Sequence, residues 1–163
     1  MSSRQQRRAQ TRARVKATLG SPSASASVTQ LLRTAIHHHQ SGRLAEAKAF
    51  YQSILAVDPR HADALHLLGI IAHQVGQNNI AVDLIGKAIA INGMVTAYYF
   101  NQGAALKALG RPNDALASYE AAVRTAPNSP SHRFGLAAAE GTRRQSLVSE
   151  DAALPPDEAR RLG

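Results

Sequence analysis

The sequence predicts an all-α fold: a helical-hairpin repeat solenoid of three units, followed by a partial capping helix. Two observations carry this. Small and turn residues recur every 34 positions, at Gly42, Gly76 and Gly110 and again at Ala47, Ala81 and Ala115. A repeat of this length is one helix pair, which buries its apolar face only by stacking on a neighbour. Between these markers the apolar residues fall at helical spacing.

The composition agrees with a helical domain. Only 4% of the residues are aromatic, mean hydropathy is −0.23, and no apolar run approaches the roughly 18 residues that a membrane span requires. At 163 residues the chain is expected to be one domain with tails.

Residues 1–27 form the first segment. They hold six basic residues and no acid, and Val15 and Leu19 are their only strongly apolar aliphatics. So little apolar surface does not offset ordering entropy, and the segment reads as a disordered basic arm. No continuous apolar stretch follows Lys16, so the arm lacks the pattern of a secretory signal. A cytoplasmic protein is expected. An Arg-rich, acid-free start is also compatible with a transit peptide, or with a tether that holds nucleic acid or an anionic surface by counterion release. The net charge of +8 resides largely in this arm, because residues 28–127 hold eight basic and six acidic side chains.

The first unit covers 28–61. Leu31, Leu32, Ala35 and Ile36 precede Ser41-Gly42, and Leu44, Ala47, Tyr51, Ile54 and Leu55 precede Asp58-Pro59. Glycine suits a left-handed helix terminus, and proline cannot continue the helix behind it. The second unit, 62–95, runs from Leu65, Leu68, Gly69 and Ala72 through Gly76 to Ala81, Ile85, Ala88 and Ile89, with Asn92-Gly93 in place of the proline stop. The third, 96–129, runs through Tyr99, Gly103, Leu106 and Gly110; Pro112 opens the returning helix and Pro127 closes the unit. In each hairpin Ala35, Gly69 or Gly103 is expected to cross opposite Ala47, Ala81 or Ala115. Tyr51, Ile85 and Tyr119 then fill the gap beside the crossing. Residues 130–144 begin a fourth unit and abandon its pattern, which reads as a capping helix, and 145–163, with Pro155-Pro156, read as a flexible tail.

With no cysteine, thiolate metal sites, cysteine nucleophiles and disulfides are excluded. The run His37-His38-His39 and the pair His66 and His73 invite a metal reading. Adjacent histidines diverge by about 100° on a helix, however, and positions seven apart are separated by about 10 Å along the axis, so no metal site is expected. No serine-nucleophile motif, paired catalytic carboxylates or phosphate-cradling glycine loop stands in the sequence, so no catalytic residue and no cofactor are assigned.

The register of small, aromatic, glycine and proline places resembles the tetratricopeptide repeat, over about 100 residues. The departures are Leu31, Leu65 and Tyr99 at the tryptophan-like place, Thr34 and His38 where larger apolar residues are usual, and Ile54 in place of an alanine. The stretch Asp63-Ala64-Leu65-His66-Leu67-Leu68-Gly69, with Ala81-Val82-Asp83-Leu84-Ile85 after it, is similar to the repeat region of bacterial O-GlcNAc-transferase-like proteins, whose catalytic region has no counterpart here.

The resemblance implies that the first helix of each pair lines a concave groove. It places Ile36, His39, His66, Ile70, His73, Phe100, Asn101 and Lys107 there, with Leu32, Asp63 and Ala104 among them. The family's clamp for a terminal carboxylate needs more groove cations and asparagines than Asn101 and Lys107 supply. Of the transferases' asparagine ladder only Asn101 is present, since Arg33 and Leu67 hold the equivalent places. The function expected is a non-enzymatic protein-interaction adaptor whose groove binds a peptide or helix. The alternative is the substrate-recognition module of a glycosyltransferase whose catalytic part lies outside this chain. The partner's identity and the oligomeric state stay open; an open end exposing Phe134 and Leu136 would favour a dimer.

Overall fold

The computed structural model describes residues 23–127, 137–138, 140–145 and 147–148, with side chains from 27 onward. Six helices follow one another as α1 (Ser23–Gln40), α2 (Leu44–Val57), α3 (Ala62–Gln74), α4 (Asn78–Ile91), α5 (Thr96–Ala108) and α6 (Pro112–Thr125). Each odd helix packs against the even helix after it, and α2 packs on α3 as α4 does on α5. The odd helices thereby form one layer and the even helices the other. Among the described residues no helix is long and apolar enough to cross a membrane.

Every hairpin turn is built the same way. Gly42, Gly76 and Gly110 have φ of 72°, 78° and 69°, the left-handed region that a side chain disfavours. In each turn the amide after the glycine reaches back to the preceding helix: Arg43 to the carbonyl of His38, Gln77 to Ala72 and Arg111 to Leu106, at 2.9, 2.8 and 3.0 Å. These bonds satisfy carbonyls that the helix end would otherwise leave unpaired.

The stops between units rest on the side chains of Asp58 and Asn92, where the sequence reading relied on Pro59 and Gly93 beside them. Asp58 Oδ1 accepts from the Arg60 amide at 3.0 Å, and Asn92 Oδ1 accepts from the Met94 amide at 3.2 Å. The second stop therefore rests on the Asx turn of Asn92 and not on a left-handed Gly93, which is absent from the positive-φ glycines.

The close crossings are real. A Cβ placed on Gly69 would lie 2.7 Å from Ile85 Cγ1, and one placed on Gly103 would lie 2.6 Å from Tyr119 Cε1. The large residue of the even helix thus lies directly over the glycine of its partner. Ala35, Ala47, Tyr51, Ile54, Ala81, Ile85 and Ala115 are buried around these crossings.

At the amino end, α1 begins at Ser23 rather than at Val28, so Ser23–Ser27, expected within the arm, are helical. Ala24 and Ala26 favour that extension. At the other end, residues 137–138, 140–145 and 147–148 are helical, which carries helix past 144, where the tail was expected to begin. Ala138 packs against the cluster of Leu106, Ala115 and Tyr119, and Thr142 is buried with its hydroxyl donating to the Ala138 carbonyl at 2.8 Å. The rest of the arm (1–22), the rest of the tail (149–163), and Phe134 and Leu136 lie outside the described residues.

Candidate functional site: the face of the odd helices

The odd helices are tied to one another by side chains 35 positions apart, one repeat plus one residue. His39 Nε2 donates to Gln74 Oε1 at 3.0 Å. The Tyr98 hydroxyl donates to Asp63 Oδ1 at 2.5 Å, and Asn101 Nδ2 donates to His66 Nε2 at 2.8 Å. These bonds link α1 to α3 once and α3 to α5 twice.

His66 is the most enclosed member of the set, 7% exposed, with its ring centroid 4.5 Å from that of Tyr98. Burial lowers its pKa to about 4, against an opposing pull from the Asp63 carboxylate. Desolvation wins because a buried imidazolium loses its water shell. The neutral ring also follows from the bond itself, since Nε2 can accept from an amide only when the ring proton sits on Nδ1. Tyr98 is raised by burial first, then by its bond to Asp63.

The expected groove residues divide into five groups. His66 and Asn101 are brought together, but as partners of each other. His39 and His73 are also engaged: the Tyr51 hydroxyl stands 3.5 Å from His39 Nδ1, and His73 Nδ1 donates to Asn78 Oδ1 at 2.6 Å in the turn before α4. Phe100 packs inward, its ring 5.2 Å from Tyr119 beside the core of the third unit. Ile36 and Ile70 are half-buried, hold the same place in successive units, and belong to none of the core clusters; Ala104 continues their row.

Lys107, like Arg33, is exposed and makes no ion pair among the described residues. No cluster of three or more histidines and carboxylates able to hold a metal stands among the described residues.

Two features were missed from sequence. One is the pairing of Asp63 with Tyr98 and of His39 with Gln74, for which a polar residue matched by another 35 positions on is the available signal. The other is an apolar cleft of about 550 Å³ on the even-helix side, between α2 and α4. Leu44, Leu68, Ile71, Ile80 and Leu84 line it, and Val75 and Ile80 are half-exposed at its edge.

The family model for the tetratricopeptide repeat matches residues 96–129, the third unit. Tetratricopeptide repeat protein 7B of Homo sapiens is 27% identical over 93 residues; the match covers 57% of this chain and 11% of that protein. The chain therefore spans only a small part of the curated relative it matches. Among solved structures, the O-GlcNAc transferase of Thermobaculum terrenum is 27% identical with a TM-score of 0.67, over 71% of this chain and 22% of that one.

The first repeat domain of Spaghetti, solved with an HSP90 peptide, is 21% identical with a TM-score of 0.67, over 74% of this chain and 93% of that one. The Yersinia enterocolitica type III secretion chaperone SycD, solved with a peptide of the translocator YopD, is 18% identical with a TM-score of 0.70, over 77% of this chain and 99% of that one. The third unit matches the tetratricopeptide-repeat model directly, and two hairpins of the same build, with the same left-handed glycine turn, stand ahead of it.

Proposed function

We propose that this chain is a non-enzymatic protein-interaction adaptor that holds a peptide or helical segment of its partner on the odd-helix face. The observation that carries the reading is the row Ile36, Ile70 and Ala104. Two isoleucines and an alanine left half-buried, outside every core cluster and in line across stacked units, form the kind of apolar strip that a partner covers. Peptides bound to the repeat domains of Spaghetti and SycD support this class of partner. We take the setting to be cytoplasmic, which fractionation checks.

The test is affinity capture with two double variants. Ile36→Asp with Ile70→Asp is expected to release the captured partner, while Val75→Asp with Ile80→Asp, at the opposite cleft, leaves it bound. The reverse pattern would move the binding site to the even-helix side.

A second reading is favoured by the likeness to the Thermobaculum terrenum transferase: the chain would be the recognition arm of an O-GlcNAc-type glycosyltransferase. Its test is the intact mass of the endogenous protein. A mass far above 17.4 kDa, with sugar transfer by the longer species, is the expected result, and a mass near that value without transfer removes the reading.

A further inference from the structure

We infer that the segment bound on the odd-helix face is an acidic amphipathic helix and not an extended peptide; this rests on the adaptor reading above. An extended peptide carries a bare backbone, whose amides and carbonyls must find partners when they leave water. The polar side chains best placed to provide them are already engaged with one another. His39 is bonded to Gln74, Asp63 to Tyr98, and His66 to Asn101. An extended backbone would find only the spare atoms of Gln74, Asp63 and Asn101, since Nε2 of the buried His66 ring is already taken. A helix brings its own backbone bonds already made and asks the face only for apolar contact.

The spacing of the row fits the same occupant. Packed helices stand roughly 10 Å apart, so Ile36, Ile70 and Ala104 recur at about that interval along the stack. On a helix, residues i and i+7 lie about 10.5 Å apart on one face. On a strand, same-face residues recur at about 6.6 and 13 Å and fall out of step with the row.

Charge sets the flanks. Arg33 and Lys107 are exposed and make no ion pair among the described residues. Asp63, the acid expected on this face, is held by Tyr98. Carboxylates beside the apolar stripe of the partner helix would meet these cations.

The experiment uses the full chain and two synthetic peptides of about 21 residues, long enough as a helix to span about 30 Å. Both contain the same leucines, alanines and glutamates. In one, leucines stand seven apart and a hydrocarbon staple holds the helix; in the other, leucines alternate and two prolines keep it extended. Fluorescence anisotropy is expected to show the stapled helix binding at least tenfold tighter. The double variant Ile36→Asp with Ile70→Asp should abolish that binding, and Arg33→Glu with Lys107→Glu should weaken it severalfold.

Equal or tighter binding of the extended peptide, lost in the isoleucine variant, would overturn the helix inference and leave the face as the binding site. Binding that survives the isoleucine variant would overturn both readings. Failure of both peptides to bind at 100-fold excess over the protein would overturn the helix inference. Circular dichroism of each variant confirms that it is folded before titration.

Discussion

Asn101 donates its side-chain amide to Nε2 of His66 at 2.8 Å, and the acceptor is a ring only 7% exposed. The bond joins the second unit to the third. It also makes the imidazole a structural base that must stay neutral for the two units to remain in contact.

Acid should therefore loosen the domain. The ordinary imidazole pKa of 6.5 is lowered to about 4 in the folded state by burial. Between those values the unfolded chain takes up a proton that the folded chain refuses. Stability contributed by His66 is present in full above pH 6.5 and lost as pH falls towards 4, by about 3 kcal/mol in all. Thermal melts of wild type and His66→Gln between pH 7 and 4 should show a shallower decline in the variant.

Removing the donor tests the same bond from the other side. Asn101→Ala leaves the buried Nε2 without its partner and should cost about 1–3 kcal/mol of stability. Urea denaturation at pH 7 measures it. An unchanged midpoint would show that Nε2 is satisfied in another way.

The glycines separate two mechanisms. Gly103→Leu places a large side chain where even a Cβ would lie 2.6 Å from the Tyr119 ring. Overpacking of this kind costs about 1–3 kcal/mol and should lower the melting temperature by several degrees. Gly110→Ala meets no atom within 4 Å but must hold φ at 69°, and should cost about 1 kcal/mol through backbone strain alone.

Gly86→Ala is expected to move in the opposite direction. Gly86 lies within α4, and its Cβ would meet only the side-chain nitrogen of Gln102, at an ordinary 3.5 Å. Replacing glycine by alanine inside a helix lowers the entropy of the unfolded chain and should add about 0.5–1 kcal/mol. A paired melt of Gly86→Ala and Gly110→Ala gives the two signs in one experiment.

Much of the architecture was legible because it is written locally. A left-handed turn selects glycine at 42, 76 and 110, and close crossing selects small residues at 35, 69 and 103. Neither requires knowledge of a distant neighbour. The Asx turn at Asn92 escaped the reading because Gly93, beside it, offered a sufficient local explanation that the backbone does not use. Phe100 is half-buried and meets the core as well. Its ring packs on Tyr119, a contact between helices that no local pattern in the chain announces.

The sequence by itself determined the 34-residue period, the hairpins, their turns and the in-register row of Ile36, Ile70 and Ala104. All of these depend on single residue types at fixed local spacing. Tertiary structure alone decided that His39, Asp63 and His66 reach partners 35 positions away, on the next odd helix, and that His66 is buried there. That offset of one residue per unit comes from how successive hairpins are staggered and rotated in the stack. The stagger is set by the packing of whole helix faces, and no local pattern in the chain encodes it.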